Sequence, residues 1–158
     1  MRATSPIRPP DVPTQASYLI FHRGGLISWK CYTQKAISRS TMEAEYIALS
    51  DLSVRIQGLV NLAQGASIPV TSPVVIWEDN EAATKLTHAA IVTKGARHII
   101  MAYHTVQQAH QGKRVDVRHC STDLQVADGF TKALADMKFR TFARALGCCS
   151  VREFGPMA

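Results

Sequence analysis

The sequence predicts an α/β domain with a mixed sheet, in which a hairpin precedes strands that are connected by helices. Two short apolar segments flank the turn at residues 23–25, which is the pattern of a β-hairpin. A long periodic helix follows from about Thr41 to Gln64, and later segments of strand length alternate with helical ones. The chain has 158 residues, 46% of them apolar, which suits one domain with a substantial core.

The elements can be placed in order along the chain. Residues 1–17 contain four of the seven prolines, so we expect an irregular tail there, and a second tail begins at residue 148. The domain therefore spans residues 18–147. Residues 74–77 form a continuous apolar run, which is typical of a strand buried on both faces. The other predicted elements are strands at 18–22, 26–32 and 114–119, and helices at 81–87, 97–111 and 123–146, the last with a break near Gly129 or Ala135.

Composition limits the classes of function. The net charge of +6 favours a polyanionic partner, although moderate basicity is weak evidence. The four cysteines form no Cys-x-x-Cys pair, so we expect reduced thiols rather than a zinc site. Trp29 and Cys31 are expected to pack in the hairpin. No apolar run approaches the length of a membrane span, and the N-terminus has no apolar signal core. These observations predict an intracellular protein, cytoplasmic or nuclear, with no membrane partner.

Two glutamates at the start of the long helix have different predicted roles. Ser40 and Glu43 have the spacing of a capping box, which gives Glu43 a structural role. Glu45 falls on the side of the apolar stripe, where a carboxylate needs a partner such as a cation. The alternative is that Glu45 flanks the stripe and reaches water.

Two aspartates stand at positions where α/β proteins place functional sites. Asp79 follows the apolar strand, and Asp128 lies early in the last predicted helix. Taken singly, each suits a turn or a helix start. Together with Glu45 they form a set of carboxylates without a histidine or cysteine cluster, which suits hard cations such as Mg²⁺ or Mn²⁺. A pair of such ions can promote phosphodiester hydrolysis.

Four ordered segments resemble the ribonuclease H domain of copia-type LTR retrotransposon polyproteins. They are LISWKCYTQKAISRSTMEAEYIALS, VVIWEDNEAATKL, ARHIIMAYHTV and STDLQVADGFTKAL. The resemblance implies a ribonuclease H-like fold, with a five-stranded mixed sheet and helices on both faces. It also implies two divalent ions held by carboxylates, and cleavage of the RNA strand of an RNA–DNA hybrid.

The resemblance extends to single residues. It implies that Glu45, Asp79 and Asp128 are catalytic and bind metal, and that His119 corresponds to a mobile catalytic histidine, although a surface role for His119 fits its position better. A reverse transcriptase domain of the same polyprotein is the implied protein partner. We expect phosphate contacts from basic residues that follow the acid-bearing strand, unless these form an ordinary solvated surface. They are Lys85, Lys94, Arg97, Lys113 and Arg114.

One part of the family pattern is absent from this sequence. The family begins with a strand that carries the first metal-binding aspartate, and residues 3–5 show no such segment. The resemblance therefore implies an N-terminally truncated domain that lacks its first central strand, with impaired hydrolysis. The alternatives are a non-catalytic module that binds nucleic acid or associates with a polymerase, or a relic without function. We expect the hairpin to close the gap left by the missing strand by pairing directly with the strand at 74–77. The alternatives are that residues 1–17 fill the gap or that a partner donates a strand.

Overall fold

The computed structural model describes residues 14–34, 40–89, 100–131 and 133–148. Four strands and four α-helices lie in these ranges, and two 3-10 turns, Thr122–Leu124 and Val126–Phe130, precede the last helix. The α/β class is confirmed. The strands are β1 (Gln15–His22), β2 (Gly25–Thr33), β3 (Val74–Glu78) and β4 (Val115–His119), and the helices are α1 (Thr41–Gly65), α2 (Glu81–His88), α3 (Ile100–Gln111) and α4 (Asp136–Ala145).

Strands β1 and β2 form the predicted hairpin. Arg23 and Gly24 both have positive φ, at 50° and 82°, as a two-residue primed turn requires. The antiparallel register pairs Leu19 with Trp29 and shifts between Ile20 and Phe21. Strand β1 begins at Gln15, so the end of the expected tail is already strand.

The described strands form two separate sheets rather than one mixed sheet. Strands β1 and β2 pair antiparallel, and β3 pairs in parallel with β4. The expected direct pairing of the hairpin with β3 is therefore wrong. Each sheet keeps a strand edge toward the other, and helix α1 packs across both.

Helix α1 begins as its sequence predicts. The Ser40 hydroxyl accepts a hydrogen bond from the backbone N–H of Glu43 at 3.2 Å, which satisfies one of the free donors of the first turn. Its apolar side faces the core, where the Tyr46 ring stacks on Tyr103 of α3 with 6.3 Å between centroids. The core joins α1 to β3, β4, α2 and α3 through Tyr46, Leu49, Ile56, Ile76, Ala83, Leu86, Tyr103, Val106, Ala109, Val115 and Val117.

Two other local predictions are corrected by the structure, and a third lies partly outside the described residues. The last predicted helix is interrupted before Asp136, in agreement with the expected break near Ala135, but its first part forms two 3-10 turns and only α4 is α-helical. Trp29 and Cys31 do not pack inside the hairpin, because both side chains are exposed. Helix α3 is described only from Ile100, so the predicted helix start at residue 97 lies outside the described residues. No helix in the described ranges has the length and apolar character needed to cross a membrane.

Strand β3 is buried on one face only, against the prediction from its apolar run. Ile76 is 4% exposed within the core, whereas Trp77 is 56% exposed on the opposite face. The face that carries Val75 and Trp77 has no covering layer among the described elements, and this is why the run of apolar residues is misleading.

Truncation of these two neighbouring residues tests the one-sided burial. Ile76→Ala should lower the free energy of unfolding by about 2–5 kcal/mol, because it leaves a cavity in the core. Trp77→Ala should cost well under half as much, although it removes the larger side chain. Urea denaturation followed by circular dichroism measures both. Equal losses for the two variants would show that β3 is buried on both faces.

Candidate acidic site

A cleft of about 570 Å³ separates the two sheets. Residues 15–21 of β1 form one wall, and residues 74–79, from β3 and the position after it, form the other. Its base is the apolar side of α1, including Leu49, Leu52 and Ile56. The cleft lies where a continuous sheet would have a further strand.

Two hydrogen bonds fix one end of this cleft. The Ser17 hydroxyl, near the start of β1, donates to the carbonyl of Ala127 at 2.8 Å. The Gln125 side-chain amide donates to the carbonyl of Trp77, near the end of β3, at 3.3 Å. The segment 124–128 therefore joins the start of β1 to the end of β3, and the two strands run in opposite directions.

Acidic residues from three separate segments meet at this end of the cleft. Glu45 comes from the first turns of α1, Asp79 follows β3, and Asp128 lies in the second 3-10 turn. All three line the cleft. Glu43, by contrast, belongs to the N-terminal cap of α1.

Aromatic packing holds the turn that carries Asp128. The ring of Phe142 on α4 packs edge-on against Phe130, with 5.2 Å between centroids. The same ring lies against Gly129, where it occupies the space that a side chain would need. Together with the Ser17 bond, this contact keeps the Asp128 turn beside β1.

Glu78 is the site residue that the sequence analysis missed. Its side chain is 7% exposed, and its Oε1 accepts the backbone N–H of Asn80 at 3.0 Å. Burial raises the pKa of Glu78, the hydrogen bond from Asn80 opposes it, and the charges of Glu45, Asp79 and Asp128 add to it, which together bring the pKa to about 8. The strand period contains the signal, since Glu78 falls on the same face as the buried Ile76.

The pKa of Glu78 also gives evidence about distances. Glu45, Asp79 and Asp128 each act on Glu78 electrostatically, so all three lie in its neighbourhood. Cys120 lies beside the same group, and burial followed by the charges of Asp79, Glu78 and Asp128 raises the pKa of its thiol. The end of the cleft is therefore an acidic environment in which further negative charge is disfavoured.

The carboxylates suit a hard divalent cation in their chemistry but not in their arrangement. Oxygen ligands of this kind are those that Mg²⁺ and Mn²⁺ prefer. Among the residues that the structure describes, however, no group of three or more His, Cys, Asp or Glu side chains is placed to hold a metal ion. The acids therefore act on Glu78 electrostatically without forming a metal-binding group among the described residues.

The remaining predicted site residues lie apart from this end of the cleft. His119 ends β4, where it pairs in register with Glu78, but its side chain is exposed and does not line the cleft. Lys85 is exposed on α2 and forms an ion pair with Glu81 at 2.7 Å.

Lys113 and Arg114 precede β4, and the parallel register places them at the opposite end of the β3–β4 sheet from Asp79. Arg114 donates to the Gln57 side chain of α1 at 3.0 Å. The structure therefore does not bring these two basic residues to the acidic end. Lys94 and Arg97 lie outside the described residues.

Comparison with known proteins relates the chain to retrotransposon polyproteins. It is 32% identical over 141 residues to the retrovirus-related Pol polyprotein from transposon RE2 of Arabidopsis thaliana, and 33% identical over 141 residues to that from transposon RE1 of the same plant. Each alignment covers 89% of this chain and 10% of the relative. The Pol polyprotein from transposon TNT 1-94 of Nicotiana tabacum is 28% identical over 134 residues, which are 85% of this chain and 10% of that protein.

The chain thus spans about a tenth of the length of the curated relatives that it matches. The resemblance to retrotransposon polyproteins is confirmed at the level of the polyprotein region. No family model and no solved structure matches the chain.

The buried carboxyl of Glu78 should make stability depend on pH. In the unfolded chain this group loses its proton near pH 4.3, whereas in the folded chain it keeps the proton up to about pH 8. The folded state therefore binds more protons between these values, and the free energy of unfolding falls as pH rises, by at most about 1.4 kcal/mol per pH unit from this group.

Glu78→Gln removes this titration while keeping an oxygen acceptor for Asn80. The variant should become more stable than the parent as pH rises from 5 to 8.5, measured by urea denaturation at each pH. Asp123→Asn is the matched control, because the side chain of Asp123 is 85% exposed and its loss should leave the pH slope unchanged. A parent-like slope in Glu78→Gln would contradict the burial of this carboxyl.

Proposed function

We propose that this homologue of retrotransposon Pol polyprotein segments is a ribonuclease H-like domain whose hydrolytic acid cluster is incomplete. The observation that carries the proposal is the meeting of Glu45, Asp79 and Asp128 at one end of the cleft, from three segments far apart in the sequence. These are the three acids that the ordered motifs assign to the site. The substrate class is the RNA strand of an RNA–DNA hybrid.

The role of the acids follows from their chemistry. Carboxylates that meet at the end of a strand supply negative oxygen ligands, and Mg²⁺ or Mn²⁺ is the class of ion that such ligands select. In phosphodiester hydrolysis such ions activate water and stabilise the leaving oxygen. Glu45 and Asp79 stand on a helix and at a strand end, whereas Asp128 stands on a turn.

The cluster is incomplete for two reasons. The family pattern includes a further aspartate on a strand that this sequence lacks. The carboxylates that are present form no group able to hold a metal ion in the described part of the chain. Since catalysis by positioned ions depends on geometry and charge together, we infer that hydrolysis by this chain is weak or absent.

Hydrolysis of a labelled RNA–DNA hybrid in Mg²⁺ or Mn²⁺ tests the inferred impairment. The purified chain should turn over at least roughly a hundred-fold more slowly than the common enzyme range of about 1–10³ s⁻¹. Any residual cutting should disappear in Asp79→Asn and persist in Asp123→Asn. Cutting at an ordinary enzyme rate, abolished by Asp79→Asn alone, would show that the acid cluster is complete.

A titration with Mn²⁺ tests the location of the acid cluster without requiring turnover. Paramagnetic broadening of NMR signals should begin at Glu45, Asp79 and Asp128, and Asp79→Asn should weaken it. Broadening spread evenly over the surface acids would remove the support for a ribonuclease H-like site.

Binding of the hybrid is a separate part of the proposal. The candidate phosphate contacts are Lys85, Lys94, Arg97, Lys113 and Arg114. If they neutralise phosphates, affinity should fall steeply with salt, and removal of one contact should reduce the slope of log K against log[salt] by about one. Fluorescence anisotropy of a labelled hybrid should show this change for Lys94→Gln or Arg97→Gln. Lys30→Gln on β2 is the control, since Lys30 lies beside Asp51 at 3.9 Å. Binding that is independent of salt would exclude the phosphate contacts.

A further inference from the structure

Within the described ranges, strand β1 has one backbone edge without a ladder partner, and the pairing with β2 shows which residues form it. The N–H of Gln34 donates to the carbonyl of Thr14 at 2.8 Å, which makes these residues a hydrogen-bonded pair. Hydrogen-bonded and non-hydrogen-bonded pairs alternate in an antiparallel ladder. The backbone groups of Gln15, Ser17 and Leu19 therefore point away from β2.

Strand β3 has a matching free edge. The N–H of Val74 donates to the carbonyl of Arg114 at 2.9 Å, and the N–H of Cys120 donates to the carbonyl of Glu78 at 2.9 Å. In a parallel ladder alternate residues use their backbone groups toward one neighbour, so Val75 and Trp77 point away from β4. The carbonyl of Trp77 accepts a side-chain amide, from Gln125, in the position where a neighbouring strand would donate.

Both free edges line the same cleft, which we call the strand slot. Because β1 and β3 run in opposite directions, a strand placed between them would pair parallel with one and antiparallel with the other. Both pairings are common in mixed sheets. The slot thus offers backbone donors and acceptors on two sides to a single extended segment.

The two faces of the slot specify the side chains of its occupant. One face is the apolar side of α1, with Leu49, Leu52 and Ile56. On the other face the flanking strand β3 exposes Val75 and Trp77, at 37% and 56%. An occupant that suits both faces carries apolar side chains in both directions, as strands buried on both sides do.

A second copy of the chain does not supply such a segment from its described strands. Strand β2 has Lys30 among its central residues, and β4 has Asp116 and Arg118. Insertion of either would bury charge against an apolar face, at a high cost in desolvation. Strands β1 and β3 are not candidates for the inserted segment, because their edges form the two sides of the slot.

We propose that the strand slot binds one extended peptide segment, apolar on both faces, that is supplied by another part of the retrotransposon polyprotein. The relatives of this chain are about ten times longer than the aligned region, so the polyprotein has many further segments to offer. Strand addition of this kind gains affinity from main-chain hydrogen bonds and specificity from alternate side chains. It does not depend on the nuclease chemistry proposed above.

The test uses the full chain and a labelled Val/Ile-rich peptide with lysines at both ends. Two further peptides carry one backbone N-methyl group each, at successive central positions. Insertion between two strands uses successive N–H groups on opposite sides, so both modified peptides should bind roughly ten-fold or more weakly. Addition to one edge would weaken only one of them, and adventitious apolar binding would weaken neither. Either result, or no binding of the parent peptide, overturns the proposal.

Two readouts on the protein complete the experiment. Hydrogen exchange should show that the amides of Leu19 and Val75 become protected together when the peptide binds. Val75→Pro should weaken binding roughly ten-fold, because it removes an N–H that faces the slot but leaves the β4 ladder intact. Val75→Thr, which keeps that N–H, is the matched control and should bind within about two-fold of the parent.

The N-methyl peptides keep the test decisive if Val75→Pro fails to fold. Dimerisation that protects the same amides in the absence of peptide would identify a second copy as the occupant and overturn the proposal. No metal or hybrid takes part in these measurements, so their failure and the failure of the hydrolytic function are distinguishable.

Discussion

The packing of α1 against both sheets is the interaction on which the rest of the structure depends. The two sheets share no ladder in the described residues, so backbone hydrogen bonds do not join the hairpin to β3 and β4. Tyr46, Leu49 and Ile56 instead bury apolar area on the β3–β4 side, and Ile20 of β1 packs against the same core. This burial is non-directional, so the distance between the sheets is fixed only at the end of the cleft where Ser17 and Gln125 form their hydrogen bonds.

The geometry of the acids follows from this construction. Glu45 moves with α1, Asp79 with β3, and Asp128 with the turn that Ser17 bonds to β1. A continuous ladder would fix the spacing between these supports closely, because neighbouring strands in a sheet lie about 4.7–4.9 Å apart. Across the open slot, only contacts made by side chains set the distance between the two sheets. Carboxylates can then meet at one end of the cleft without forming a complete metal site.

Local sequence patterns predicted the elements that depend on local chemistry. The primed turn of the hairpin, the Ser40 cap of α1 and the α/β class all follow from residues close together in the chain. The predictions that were wrong concern what packs against an element, which the element's own sequence does not show. The run at 74–77 predicts a strand buried on both faces, because its composition cannot reveal that no described element covers Trp77.

The first part of the last predicted helix is wrong for a similar reason, since the contact of Phe142 with Gly129 fixes a turn that sequence periodicity does not indicate. At the site, the three acids were predicted to converge and do line one cleft. Glu78 was missed because the predicted strand ends at residue 77, whereas β3 extends to Glu78. Its period-two relation to Ile76 places it on the buried face.

Displacement of water couples the strand slot to the acidic residues at its end. At neutral pH burial keeps most of the Glu78 carboxyl protonated, so the acidic end carries less charge than its sequence suggests. A segment that entered the slot would displace water from this end and lower the local dielectric, which strengthens the effect of the charges of Glu45, Asp79 and Asp128 on Glu78. The protonated form of Glu78 is uncharged and does not bear that cost. By linkage, occupation of the slot and protonation of Glu78 therefore favour each other.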